Sequence, residues 1–205
     1  MEPMLDEISF DERGLVPVVV QDEASAEVLM LAYANAKALE LTLETGEMHF
    51  FSRSRDEIWR KGETSGMTMA VRQLRYDCDG DAVLAIVAPA GPACHTGERT
   101  CFYRELGGDP ARVVHEALPA LQRTLESRRA ERPAGSYTVE LLDNPTLVGE
   151  KVEEEAEEVV RAAREETDER VAEEAADVLY HLWVLLAARG VPPAAVFEVL
   201  NARAE

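Results

Sequence analysis

The sequence predicts two domains of different class: an α+β or mostly β unit over residues 1–108 and an all-α unit over residues 109–205. Three observations carry this. Up to about Gly108, short runs rich in Val, Leu and Met alternate with turn residues, whereas beyond it Ala, Glu, Leu and Arg dominate, a change of texture that marks a domain boundary. The apolar residues of the first part fall in stretches of strand length, and those of the second recur at helical spacing. A chain of 205 residues also has room for two small domains.

Taken in order, residues 15–20 and 27–33 read as strands of a hairpin, because the polar segment 21–26 between them suits a turn. Asn35 can cap a short helix through Lys37, Ala38, Leu39, Leu41 and Leu43 that stops near Gly46. Residues 48–51, 68–76 and 82–88 are further strand candidates. In the second part, residues 110–132 carry apolar side chains at helical spacing (Val113, Val114, Ala117, Leu118, Leu121, Leu125) until Pro133, Gly135 and Ser136 break the pattern. Helices are expected over 147–165 and 168–189, with a terminal one starting at Pro192 or Pro193, where proline suits a first turn.

The formal charge is -19 and is shared by both parts: residues 1–108 hold 19 acidic and 10 basic side chains, residues 109–205 hold 21 and 11. Neither part is therefore expected to bind nucleic acid. Apolar residues are 46% of the chain, enough for packed cores. No apolar run approaches the roughly 20 residues that span a bilayer, and residues 1–10 do not read as a secretory signal, so a cytoplasmic protein without membrane partners is expected. Three cysteines in such a chain read as free thiols or metal ligands rather than a disulfide framework.

In Tyr76-Asp77-Cys78-Asp79-Gly80-Asp81, three carboxylates alternate with other residues at what reads as a strand end. On an extended backbone Asp77, Asp79 and Asp81 would share one face and Cys78 the other, and an oxygen-rich face of this kind suits Mg²⁺. Fifteen residues separate Cys78 from Cys94 and six more separate Cys94 from Cys101. Three thiolates would leave a tetrahedral Zn²⁺ one open position, a catalytic arrangement; the spacing equally allows three small buried core residues. Between these elements, Phe51-Ser52-Arg53-Ser54-Arg55 and Trp59-Arg60-Lys61-Gly62-Glu63-Thr64-Ser65-Gly66 gather cations, hydroxyls and glycines. Such a mixture suits a phosphate, or a solvated loop paired with nearby carboxylates.

With Ser52-Arg53-Ser54-Arg55, Trp59-Arg60-Lys61-Gly62-Glu63-Thr64-Ser65-Gly66, Asp77-Cys78-Asp79-Gly80-Asp81, Cys94-His95-Thr96-Gly97 and Cys101-Phe102-Tyr103 in one order, residues 10–106 closely resemble the phosphoribosyl-AMP cyclohydrolases. The resemblance implies Zn²⁺ on Cys78, Cys94 and Cys101 and Mg²⁺ on Asp77, Asp79 and Asp81. Substrate would meet Arg53, Ser54, Arg55, Trp59, Arg60, Lys61, Gly62, Glu63, Thr64, Ser65 and Gly66. It further implies a homodimer with zinc ligands drawn from both chains, and hydrolytic opening of an adenine ring between N1 and C6, with the nucleophile supplied at zinc. His95, beside a ligand position, is a candidate to move protons in that reaction.

In the second part, Val152, Ala156, Val159, Val160 and Ala163 are expected to form the apolar stripe of their helix, with Glu155 on its flank and Glu158 one step further round. The next helix reads as nearly apolar all round from Ala175 to Leu186, so Asp177 inside it calls for a partner. Glu174, Asp177 and His181 share a face by their spacing. Glu155, Glu158, Glu174 and Asp177 are thus candidates for a four-carboxylate Mg²⁺ site between antiparallel helices, binding a nucleotide polyphosphate. Residues 118–203 resemble the phosphoribosyl-ATP pyrophosphohydrolases of the all-α nucleotide pyrophosphatase group, through Ser136-Tyr137-Thr138, the run from Lys151 to Glu158, and Glu174 to Leu182. The resemblance implies catalysis by Glu155, Glu158, Glu174 and Asp177, with Lys151 as a substrate contact. Glu153 stands where that group usually has glycine, and the acidic run also allows the registers Glu150 with Glu153 or Glu154 with Glu157. Together the two resemblances imply consecutive hydrolytic steps of histidine biosynthesis; the rival expectation is a non-catalytic zinc-stabilised binding module fused to a helical dimerisation domain.

Overall fold

The computed structural model describes residues 5–108 and 114–203. The chain divides between residues 112 and 113 into two compact units, the first built mainly of strands and the second of helices. The expected start of the first long helix, at 110–113, lies outside the described residues.

In the strand-rich unit, β1 (Val16–Asp22) and β2 (Val28–Ala34) form the expected antiparallel hairpin. Strict alternation of buried and half-buried residues along β1 puts Val16, Val18 and Val20 in the core, as the period of two requires. Asn35 caps α1 (Ala36–Thr45) by accepting from the Ala38 N–H at 2.8 Å, and Gly46 ends it at φ 70°. The helix buries Ala38, Leu39 and Thr42. Thr42 ties it to β3 (His49–Ser52), because its Oγ1 accepts the His49 N–H at 2.9 Å. β5 (Met69–Tyr76) and β6 (Val83–Pro89) complete a four-stranded sheet in the order β2-β1-β6-β5, in which only β1 and β6 run parallel. Pro17 lacks an N–H, and it falls in the part of β1 beyond the β6 ladder, which starts at Val18.

One strand was not anticipated. Residues within the cation-rich stretch form β4 (Glu57–Arg60), which pairs with β3 in a separate two-stranded sheet. Of its four residues only Ile58 and Trp59 are apolar; the pairing of Trp59 with Phe50, ring centroids 5.1 Å apart, holds it.

The helical unit runs α2 (Ala117–Glu131), α3 (Tyr137–Asp143), α4 (Pro145–Glu165), α5 (Asp168–Arg189) and α6 (Pro193–Arg203). α3 is a further correction, since the stretch after Gly135 read as a break. Its seven residues are too few to show a period, and it is held by burial of Leu141 in the core with Leu125, Val148, Trp183 and Val184. α4 and α5, joined by Glu166 and Thr167, make a helical hairpin. Asn144 and Thr167 cap them, each side chain accepting from the N–H three residues on.

The inner face of α4 departs from expectation. Val148, Val152, Glu155, Glu158, Val159 and Ala162 are buried or half-buried, while Ala156, Val160 and Ala163 are exposed. The helix is rotated so that two glutamates, not two further apolar residues, look towards α5. Likewise α5 is not buried all round: Asp177 and Leu179 are exposed, and Glu174 is the enclosed carboxylate.

Each unit carries one tryptophan, Trp59 and Trp183. Leu141→Ala should cost the helical unit about 2–5 kcal/mol, as for other buried leucines. In a Trp59→Phe background, where Trp183 is the sole reporter, its urea midpoint should fall; an unmoved midpoint would show that Leu141 is not a core anchor.

Candidate functional site

In the strand-rich unit the end of β6 leads into a loop that carries two thiols. The loop is closed by the Ala93 N–H on the Arg99 carbonyl and the Cys94 N–H on the Glu98 carbonyl, both at 3.0 Å, with Gly97 at φ 88° in the turn. Cys94 is buried, and its sulfur accepts from Thr96 Oγ1 at 3.1 Å, which holds the thiol below its ordinary pKa. Its neighbour His95 places Nδ1 4.0 Å from the same sulfur. For Cys101, burial first and then the charge of the neighbouring Cys94 push the thiol up, while Lys61 opposes them.

The cation-rich segment faces this loop. Lys61 donates to the Ala93 carbonyl at 2.6 Å. A cleft of about 470 Å³ opens between the two stretches, lined by Arg55, Trp59, Arg60, Lys61, Gly62, Glu63, Thr64 and Ser65 on one side and by Cys94, His95 and Gly97 on the other. Gly62, at φ 81°, allows the tight return: a Cβ there would collide with the backbone of Met67 and Thr68. Three residues of the expected set do not line the cleft. Arg53 lies over the Tyr33 ring, 3.9 Å from its centroid. Ser54 pairs with Ser52 in the β3–β4 turn, and Gly66 closes a turn onto the Gly62 carbonyl at 2.8 Å. Two of the lining cations are already partnered, Arg60 with Glu47 at 2.6 Å and Arg55 with Glu57 at 3.1 Å.

Asp77, Asp79 and Asp81 do converge, with carboxylate oxygens within 4.8 Å of one another, and all three are exposed. The cause differs from expectation. β5 ends at Tyr76, and the stretch is not extended: the Gly80 N–H returns to the Asp77 carbonyl and the Ala82 N–H to Asp77 Oδ1 at 3.1 Å. Gly80 makes the turn at φ 76°, packed against the Glu7 carbonyl where a Cβ would not fit. The charges of Asp79 and then Asp77 hold the Asp81 carboxyl above its ordinary pKa.

The three thiols do not assemble within one chain. Cys78 sits in the turn between β5 and β6, whereas the loop with Cys94 follows the far end of β6. The six residue steps from Val83 to Pro89 span about 20 Å at the rise of a strand. Among the described residues two clusters of three metal-ligating side chains form, and neither contains a cysteine.

The second of those clusters lies in the helical unit and consists of Glu155, Glu158 and Glu174. Glu155 and Glu158, one turn apart on α4, are half-buried, and Glu174 is 3% exposed. Asp177 lies outside the cluster and is exposed, so the expected four-carboxylate set closes to three within the chain. Arg161 reaches Glu158 at 2.9 Å and Arg170 reaches Glu174, so basic side chains now offset part of the charge. Lys151, half-buried, pairs with Glu154, and Glu153 is exposed.

Two residues outside the expected set adjoin this cluster. His181, 5% exposed, sets Nδ1 2.9 Å from the Asp177 carbonyl and 3.7 Å from Glu155 Oε1, while Nε2 lies 3.4 Å from the Tyr137 hydroxyl. Thr138 Oγ1 and the Tyr180 hydroxyl, 2.8 Å apart, fasten α3 to α5 beside them. His181 shared a helical face with Glu174 and Asp177 in the sequence; Tyr137 lay in the Ser136-Tyr137-Thr138 stretch that carried the resemblance, but its reach to His181 depends on α3, which was not legible.

Comparison with known proteins agrees with the division into units. The phosphoribosyl-AMP cyclohydrolase family matches residues 30–103, and the phosphoribosyl-ATP pyrophosphohydrolase family matches residues 118–204. The histidine biosynthesis bifunctional protein HisIE of Bacillus subtilis is 49% identical, with 97% of this chain and 95% of that protein covered. The namesake proteins of Thermus thermophilus, 49% identical over 92% and 88% of the two chains, and Deinococcus radiodurans, 46% over 97% and 93%, are similar in the same way.

In metal-free protein, Thr96→Val should shift the pH midpoint of Cys94 alkylation upwards, because the hydrogen bond that favours the thiolate is lost. An unchanged midpoint would show that Thr96 does not set the reactivity of this thiol.

Proposed function

The chain belongs to the bifunctional histidine-biosynthesis proteins that join a phosphoribosyl-AMP cyclohydrolase to a phosphoribosyl-ATP pyrophosphohydrolase, and from that premise we propose how its residues divide the chemistry. It is a bifunctional hydrolase. The helical unit converts phosphoribosyl-ATP to phosphoribosyl-AMP and pyrophosphate, and the strand-rich unit then opens the adenine ring of phosphoribosyl-AMP between N1 and C6. The carrying observation for the site is the single cleft that joins Cys94 and His95 to the cationic segment around Lys61.

In that cleft the charged and hydroxyl side chains from Arg55 to Ser65 bind the phosphorylated end of substrate, and the Trp59 ring covers an apolar part of it. His95 holds or delivers the proton that the ring nitrogen needs as the bond opens. The donor set fits zinc: Cys94 is shifted towards thiolate, Cys101 lies beside it, and soft thiolates suit this metal. When bound, zinc supplies a Lewis acid that lowers the pKa of water towards neutrality. Zn–S bonds of about 2.3 Å are incompatible with a Cys78 a strand length away, so the third thiolate comes from a second copy, which makes the enzyme a homodimer. The turn of Asp77, Asp79 and Asp81 is the place for Mg²⁺. Three free cysteines suit a reducing, cytoplasmic compartment, and no single helix among the described residues is long and apolar enough to cross a membrane.

In the helical unit Glu155, Glu158 and Glu174 hold Mg²⁺, releasing Arg161 and Arg170 from their present partners. Asp177, exposed one turn along α5, completes the set when substrate and metal are in place. Lys151 contacts the phosphates, and the Tyr137–His181 pair orients Glu155. The exposed stripe Ala156, Val160 and Ala163 suits contact with a second copy. A non-catalytic binding module is disfavoured, because family membership covers both halves.

Two tests follow. Cys78→Ser and Cys94→Ser should each lose zinc and ring-opening activity, yet mixed dimers of the two variants should regain activity, since one site per dimer then has all its thiols. Mixtures as inactive as their components would place all ligands in one chain. Separately, Glu174→Gln should stop pyrophosphate release from phosphoribosyl-ATP while ring opening of supplied phosphoribosyl-AMP continues; Asp177→Asn should do the same at limiting Mg²⁺. Full pyrophosphate release by both variants would remove the carboxylate site.

A further inference from the structure

Arg99 stands between the two thiols in sequence and touches neither. Its carbonyl accepts the Ala93 N–H, and two residues on, the Cys101 N–H binds the Leu29 carbonyl at 2.7 Å, so the backbone around it sets where both thiols lie. Its side chain reaches the other way. Nε donates to Glu27 Oε2 at 2.6 Å, and Nη2 donates to Asp22 Oδ2 at 2.8 Å and to Ser25 Oγ at 3.0 Å. Asp22 ends β1 and Glu27 directly precedes β2, so one guanidinium fastens the thiol loop to the turn of the hairpin.

The partners are enclosed. The Asp22 side chain is 5% exposed and that of Glu27 12%, while Arg99 keeps 40% of its side chain in solvent. Asp22 Oδ1 also accepts the N–H groups of Ala24 and Ser25, at 2.7 and 3.1 Å, which fixes the carboxylate before Arg99 reaches it. A planar fork can meet both carboxylates and the hydroxyl together, whereas an ammonium on a flexible stem cannot keep all three directions. The loop is otherwise held by backbone hydrogen bonds, by Lys61 on the Ala93 carbonyl and by Thr100 Oγ1, which donates to the Val28 and Leu29 carbonyls at 2.7 and 3.2 Å; none of these reaches the β1–β2 turn that Arg99 grips.

We propose that Arg99 is a positioning residue of the ring-opening site, which sets the separation and orientation of Cys94 and Cys101 for metal by anchoring their loop to Asp22 and Glu27. This rests on the reading of those thiols as zinc ligands. Groups that orient ligands without touching the metal change its affinity by roughly 10- to 100-fold when removed, and that is the loss expected for Arg99→Gln. Arg99→Lys keeps the charge without the fork and should recover only part of it.

The test uses the full-length chain. Zinc affinity is measured by competition with a chromophoric chelator, alkylation of Cys94 and Cys101 is followed by mass spectrometry in metal-free protein, and in a Trp183→Phe background Trp59 fluorescence reports folding of the strand-rich unit. Arg99→Gln should weaken zinc binding and raise the Cys101 alkylation rate while the Trp59 unfolding midpoint stays above assay temperature. Should that variant not fold, Glu27→Gln, which keeps the Asp22 pair, should show the same changes in smaller degree. Wild-type affinity and alkylation rates in a folded Arg99→Gln variant would overturn the proposal, as would full recovery by Arg99→Lys, which keeps the charge without the fork. If the wild-type chain itself holds no zinc but the alkylation rates still change, the metal reading fails and the positioning role stands.

Discussion

A carboxylate that leaves water must find a counter-charge or a set of N–H donors, and both units are organised around one that does. Among the described residues Asp22 and Glu174 are the buried carboxylates, at 4% and 3% exposure. Removing the partner of such a group costs several kcal/mol, because an unpaired charge remains in a poor solvent. In the strand-rich unit the answer is permanent: Asp22 is met by two backbone N–H groups and by Arg99. In the helical unit Arg170 meets Glu174 from the solvent side, and two more carboxylates stand beside it. That difference separates an anchor whose counter-charge comes from its own unit's core contacts from the carboxylate cluster proposed above to hold a cation.

The same constraint explains the rotation of α4. A helix with Glu155 and Glu158 turned inwards gives up burial of Ala156 and Val160, which at roughly 25 cal/mol per Å² is an appreciable loss for a small unit. What it gains is the meeting of three carboxylates and the enclosure of His181 between Tyr137 and Glu155. A helix rotated for packing alone would present the alternative stripe. Function in this unit is thus visible as a departure from the most apolar arrangement.

Turn chemistry does comparable work in the strand-rich unit. The three aspartates approach one another because Gly80 takes a left-handed conformation against the Glu7 carbonyl, and the cleft exists because Gly62 and Gly66 return the chain after β4 towards the thiol loop. Extended backbone would have set alternate side chains about two residues apart and left Cys78 facing away; the turn brings the carboxylates within reach of one ion.

Read alone, the sequence determined most of the order of elements, the class of each unit and most of the residues that line the candidate sites, since these depend on local period, caps and short motifs: Asn35 capping α1, Gly46 ending it, and alternation along β1 are all consequences of neighbours in the chain. It did not determine β4 or α3, whose four and seven residues are too few to show a period and which exist because Trp59 meets Phe50 and Leu141 meets a distant core. Nor did it determine that Glu174 rather than Asp177 is enclosed, that Tyr137 reaches His181, or that Cys78 lies a strand away from Cys94. Those are outcomes of helix rotation and sheet geometry, set by packing between residues far apart in sequence, and only the tertiary structure could decide them.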